Sequence, residues 1–428
     1  MTSSLPPAIG DTENPLIDIQ EEGQINNSQH SPESPDVLAL RQDILDHFRS
    51  LKLPALNGGG TGELSKDAIR ASYGHRRAEV TRREWKALRK QSQFLLEQFA
   101  NGSEVNPSLI QPELIPVVSD EWTGFLFRFA ALLWSVPVSK GYGRRLRFIV
   151  RDQQNDKLIG ILALGDPVFN LQCRDKWIGW DVNDRRARLV HVMDAYVVGA
   201  VPPYNQLLGG KLVASLIGSA EVSQAFAERY GQTTGIISQQ NKGARLALVT
   251  ITSALGRSSI YNRLRLYDQQ GIELINLERI GETRGYGHFQ LSDDLFERLR
   301  QLLIDENHPY ASNHKFGQGP NWRFRVIRVG LKRLGLDDEL IRHGIHREVY
   351  AMPMAAGFRD FLCGRVEDLD LHRPTIAAIT VAALRRWILP RANRNPEFRD
   401  FQREQLLERI EVENEGFENN PENPHGAT

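Results

Sequence analysis

The segment from Leu189 to Tyr230 limits the fold of this chain more than any other stretch. Its first part, LVHVMDAYVVGAV, is β-branched and apolar and predicts a buried strand from Leu189 to Val201. Pro202 and Pro203 have no N–H to give a sheet ladder, so the strand stops there. Gly209 and Gly210 permit a tight turn and a close approach of backbone to a ligand. From Lys211 onward Leu212, Leu216, Ala220 and Ala227 recur at helical spacing, with Val213, Ile217 and Phe226 beside them. A strand, a glycine turn and a helix start aim several amide N–H groups and a positive dipole end at one place, which suits a phosphate or another anion. The same pattern also serves as a plain strand-to-helix turn, and both readings stand at this level.

Length and charge narrow the classes open to the rest. The chain has 428 residues, enough for two or three domains, with 41 % hydrophobic and 25 % charged residues, so a normal core is expected. Net charge is zero, so any preference for nucleic acid has to come from local patches. Cys173 and Cys363 are too few for a disulfide scaffold and fit a reducing cytoplasm. The polar, acidic N-terminus lacks the pattern of a secretory signal. GFLFRFAALLW, from Gly124 to Trp134, is too short for a bilayer span, and Arg128 interrupts it, so no membrane partner is expected.

Along the chain, residues 1–35 are predicted to be disordered by composition, and 36–115 to be a helical N-terminal region. Ser65 to Gln91 holds nine Lys or Arg against three acids, a surplus of six that suits either backbone phosphates or a solvated helix face. Residues 116–305 form an expected α/β core. It opens with a helix from Asp120 to Val136. A hairpin follows, with strands Arg145–Val150 and Lys157–Leu164 about the turn QQND. RDKWIGWD carries two tryptophans better suited to core than to ligand stacking. Further strands are expected at Leu246–Thr252, Ile272–Leu277 and Gly285–Gln290, and an amphipathic helix at Asp293–Ile304.

Residues 306–410 are expected to be a basic helical region. Lys315, Arg323, Arg325, Arg328, Lys332 and Arg333 meet no acid before Asp337, and Phe316, Trp322 and Phe324 are interleaved with them. Cations of this kind hold phosphates and such rings stack bases; an amphipathic helix with its rings in the core is the alternative. The last helices are expected at Thr375–Ile388 and Glu397–Ile410, and residues 411–428 as an acidic disordered tail. His343 and His346 have no second ligand pair, so no metal is assigned. A nucleotide P-loop is excluded, because Leu212 stands where Ser or Thr would bind Mg²⁺ and Asn205 where the first glycine belongs.

Several long motifs occur in one order: WSVPVSKGYGRRLRF, KLIGILALGDPVFNL, RDKWIGWD, MDAYVVGAVPPYNQLLGGKL, TSALGRSSIYNRL, GYGHF, HPYASNHKFGQGPNWRFRVIR and RHGIHREV. From about residue 66 to about 365 the chain resembles the Druantia anti-phage system protein DruA family. That resemblance implies bacterial antiviral defence beside other Druantia proteins, including a large helicase, and hands over no known reaction. Related genes also travel with mobile elements, so a mobile-element accessory protein is a further alternative.

The element order from Glu121 to Gln290 is also similar to the GNAT-type acyltransferase fold, in which a Q/R-x-x-G-x-G/A loop binds the pyrophosphate of an acyl-CoA. Gln206 and Gly209 match that loop, Gly210 lies within it, and Lys211 replaces the small last residue. The likeness implies Tyr261 as general acid and Asp194 or His191 as base. The expectation is therefore an α/β protein with a mixed-sheet GNAT-like core flanked by helical regions, binding nucleic acid. Either it carries acyl transfer, with acyl-CoA the candidate cofactor, or it is a non-catalytic DNA-binding or scaffold subunit.

Overall fold

The sheet extends to either side of one antiparallel hairpin. A computed structural model describes residues 34–50, 65–138, 143–232, 243–283, 285, 291–312, 320–341 and 344–418. Strands β2 (Arg145–Asp152) and β3 (Lys157–Gly165) pair antiparallel across the 153–156 turn, as the alternation around QQND predicts. Strand β1 (Pro112–Pro116), bounded by prolines and therefore suited to an edge, lies outside β2. Strand β4 (Val192–Ala200) lies outside β3, and β5 (Leu248–Thr252) runs parallel to β4. Strands β6 (Arg265–Tyr267) and β7 (Glu273–Asn276) form a separate hairpin. The sheet is completed by β8 (Glu278–Glu282) and β9 (Glu348–Pro353), in the order β1-β2-β3-β4-β5-β9-β8.

Strand β9 corrects one expectation. It comes from the 306–410 stretch, read from sequence as helical, yet it stands between β5 and β8 with Val349, Tyr350, Ala351 and Met352 buried. The run EVYAMP is apolar enough for an inner strand but too short to announce itself beside the charged residues before it. Residues 286–290 of the strand expected at Gly285–Gln290 lie outside the described residues, as do residues 1–33.

A bulge decides which way β4 faces. Ala163 pairs with Val197 and Leu164 with Ala195, so Tyr196 is the extra residue. Side-chain parity flips there, because strand neighbours alternate faces. Met193 and Ala195 enter one core, and Val197 enters the core on the opposite face.

Helices cover both faces. On one lie Gly209–Leu216, Ala220–Tyr230 and Ile376–Ala383, packed around Leu212, Phe226, Tyr350 and Ile379. The single helix expected beyond Lys211 is broken at Gly218, where an added Cβ would stand 2.5 Å from Arg373 Nη2, and Ser219 caps the second piece through the Val222 amide. On the other face lie Gly74–Leu88, Trp122–Ala131 and Gln405–Glu418, around Trp85, Phe99, Phe129 and Ile161. The last of these runs into the stretch read as a disordered tail, anchored by buried Leu406 and Ile410.

A third core joins the helices Pro35–Ser50, Asp293–Asp305 and Pro320–Arg333 through Phe48, Leu299 and Leu331. Each such fully buried side chain contributes about 1.5–3 kcal/mol, more than the ion pairs on the outside of these helices. No helix among the described residues is long and apolar enough to cross a membrane.

Candidate functional site

Strands β4 and β5 pair over three rungs only, ending at Asp194 opposite Thr250. Beyond that rung β4 continues with β3 alone and β5 with β9 alone. The Asp194 carboxylate accepts a hydrogen bond from Thr250 Oγ1 at 2.7 Å. Burial pushes the Asp194 pKa up to about 6, against the lowering effects of the Thr250 bond and the Arg174 charge. Arg174 is itself fully buried, held by Asp175 at 2.6 Å and by the carbonyls of Val168 and Phe169 at 2.8 Å.

Tyr261 follows a turn in which Ser258 Oγ accepts the amides of Ile260 and Tyr261, both at 3.2 Å. Burial raises its phenol above the usual range, and the nearby Asp194 charge adds to the effect. Its ring meets Tyr350 of β9 edge-on, with centroids 5.6 Å apart. The Tyr350 hydroxyl donates to Glu348, whose carboxylate also takes Arg279 Nε at 2.8 Å. The fold thus gathers Asp194 and Tyr261, and adds Thr250, Tyr350, Glu348 and Arg279. Sequence reasoning passed over Tyr350 and Glu348 because β9 was not recognised, and over Thr250 and Arg279 because their partners come from other strands.

His191 does something else. It lies in the turn before β4, its Nδ1 accepts the Arg245 amide at 3.0 Å, and its ring meets Phe361 edge-on at 4.6 Å. Burial, helped by the Arg188 charge, lowers its pKa to about 4, so it is neutral near pH 7 and committed to a backbone bond.

The glycine loop is covered rather than open. Gly209 and Gly210 are buried at the start of their helix. A Cβ on Gly209 would stand 2.6 Å from the Tyr204 carbonyl oxygen, and one on Gly210 would stand 3.1 Å from Ile260. The Lys211 amine folds back onto the carbonyls of Ile260 at 2.8 Å and Asn262 at 3.4 Å, and lies 5.5 Å from the Trp387 ring centroid. Burial, with the Arg386 charge, lowers its pKa. Arg391 Nε donates to the Gln206 carbonyl at 3.1 Å, so the C-terminal helices lie over the loop. Below it the buried Tyr204 hydroxyl donates to Asp152 at 2.8 Å and ties the loop to the hairpin turn.

Both basic stretches hold some cations in ion pairs and leave others exposed. In the C-terminal one, Arg323 donates to the Leu291 carbonyl at 3.0 Å, lies 3.2 Å from Asp293 and sits 4.0 Å over the Phe296 ring. Arg333 pairs with Glu306 at 2.6 Å, Lys332 is exposed, and Arg325 and Arg328 both have interaction partners. Trp322 is buried against Phe296, so its ring belongs to the third core. Lys315 and Phe316 lie outside the described residues. In the N-terminal stretch Arg83, Lys86, Arg89 and Lys90 are exposed along one helix and the turn after it. No group of three or more His, Cys, Asp or Glu among the described residues is arranged to hold a metal ion.

Together these features define a mixed α/β protein with a parted sheet, a covered glycine loop and an exposed basic helix. The chain belongs to the Druantia protein DruA family, whose model matches residues 63–364. It is 46 % identical over 374 residues to the Druantia protein DruA of Escherichia coli (strain UMEA 4076-1), covering 87 % of this chain and 91 % of that protein. No solved structure matches it.

Proposed function

We propose that this chain is a component of a Druantia-type anti-phage defence system that grips nucleic acid without altering it. Its family membership supports the defence role. The observation that carries the grip is the exposed track Arg83, Lys86, Arg89 and Lys90, with Arg82 beside it, on a helix whose apolar side is fixed to the sheet. A row of cations along one helix and the turn after it suits a phosphate backbone, which is bound through charge rather than base identity. The covered loop supports the absence of acyl transfer, since Gly209 and Gly210 are buried and the Lys211 amide is bonded to the Leu208 carbonyl at 2.9 Å. The family resemblance makes the helicase of the same system the natural partner for such a scaffold.

The test is fluorescence anisotropy of a labelled DNA duplex against salt concentration. Replacing Lys86, Arg89 and Lys90 with Ala should flatten the slope of log affinity against log salt by roughly 0.9 for each phosphate no longer neutralised. An unchanged slope would sink the assignment of this face.

A second reading rests on the parted strands. Antiparallel β1 to β4, a bulge in β4, a short parallel pairing to β5 and a helix after the glycine loop make a topology similar to the GNAT type. Asp194, raised to about 6, has the strength of a base working near neutral pH, and Tyr261 is its partner acid. Calorimetric titration with acetyl-CoA decides between the two. Heat of binding that persists or grows in Lys211→Ala favours acyl transfer; no heat in either protein favours the grip.

A further inference from the structure

Three arginines from two separate parts of the chain converge on one carboxylate. Asp293, in the first turn of the helix Asp293–Asp305, lies 2.6 Å from Arg76 Nη1, 3.2 Å from Arg323 Nη1 and 3.8 Å from Arg83 Nη1. Burial alone would raise its pKa, but the Arg76 bond and charge, with the charges of Arg323 and Arg83, hold it below the usual carboxylate range. Beside it opens a cleft of about 340 Å³ lined by Glu79, Arg82, Arg83, Lys86 and Asp293. Around this cleft stand five cations, Arg76, Arg82, Arg83, Lys86 and Arg323, against the two carboxylates Glu79 and Asp293. Glu84, adjacent in sequence, is shared between Arg83 and Arg128.

We infer that this cleft, at the seam between the helix Gly74–Leu88 and the three-helix core, is a subsite for one backbone phosphate of DNA, with Asp293 as its built-in competitor. A phosphodiester presents two non-bridging oxygens and one negative charge, as a carboxylate does, so it can take over the same guanidinium donors. Asp293 is 44 % exposed, so an incoming phosphate can reach it from the solvent side. Arg83, Lys86 and Lys90 follow one another at helical spacing and lead from the cleft along the exposed track. The inference rests on the nucleic-acid reading and adds a location and a competing group to it.

The test is the same anisotropy titration with a labelled 12-base-pair duplex, applied to Asp293→Asn. Removing one like charge a few ångströms from a phosphate in water-like surroundings should tighten binding about fivefold. The salt slope should stay at its native value, because the same phosphate is neutralised with or without the competing carboxylate. Asp293→Glu should bind as the native protein does. Should Asp293→Asn melt early, Arg323→Gln, which touches Asp293 but lies outside the exposed track, carries the test, with a slope lower by roughly 0.9 expected. If the native protein binds DNA but neither substitution moves affinity or slope, the subsite is overturned and the basic track stands. If the native protein binds no DNA, the track fails and takes the subsite with it.

Discussion

Thr250 donates its hydroxyl to the Asp194 carboxylate at 2.7 Å on the last rung that β4 and β5 share. The bond holds a charged-capable group at the point where the sheet parts. It also opposes the burial that favours the neutral acid. Replacing Thr250 with Val should therefore raise the Asp194 pKa above about 6 and cost ~1 kcal/mol of stability at pH 7, by leaving a half-buried acceptor without its donor. Thr250→Ser should restore both. Carboxyl-carbon NMR titration and urea unfolding report the two effects.

Asp194 and His191 should pull the pH dependence of stability in opposite directions. The folded pKa of Asp194 is raised from 3.8 to about 6, so its contribution is full below pH 3.8 and is lost as pH rises through about 6. That of His191 is lowered from 6.5 to about 4, so its contribution is present above pH 6.5 and is lost as pH falls through about 4. Each is worth roughly 1–3 kcal/mol, and between pH 4 and 6 they partly cancel. Relative to the native protein, Asp194→Asn should gain stability as pH rises across that window, and His191→Asn should gain it as pH falls. Urea unfolding at several pH values separates them, and parallel curves for all three proteins would contradict both assignments.

Tyr204→Phe should detach the glycine loop from the hairpin. Its hydroxyl donates to buried Asp152 at 2.8 Å and accepts from Asn155 Nδ2 at 2.9 Å. Losing it leaves Asp152 short of a donor, at a cost of ~1–3 kcal/mol. Hydrogen exchange should quicken in residues 153–157 and 204–208 together; a change in only one of the two would mean that they are not coupled through this side chain.

Gly160→Ala should be poorly tolerated although alanine favours no particular fault in a strand. The new Cβ would stand 2.2 Å from the Gly199 carbonyl oxygen on β4, and neither backbone can yield without breaking the ladder. A loss of ~1–3 kcal/mol in denaturant unfolding is expected.

The chain's local patterns declared the hairpin, β4, β5 and the helix from Asp293, because each carries its own alternation or helical spacing within a dozen residues. Asp194 and Tyr261 were singled out by the likeness to the GNAT type rather than by local pattern, and the loop at Gly209 and Gly210, read as a site for an anion, is buried. Strand β9 and the partners Thr250, Tyr350 and Glu348 were not legible, since their roles depend on pairing between segments far apart in the chain, 56 residues apart for Thr250 and Asp194 and 69 for Arg279 and Glu348. The same limit applied to the cations: sequence counts gave equal surpluses at 65–91 and 315–333. Only packing assigned Arg76, Arg83, Arg323 and Arg333 to carboxylates and left Lys86, Arg89, Lys90 and Lys332 exposed. Composition fixes how much charge a segment carries, whereas which charges water can reach is decided by the surfaces that folding brings together.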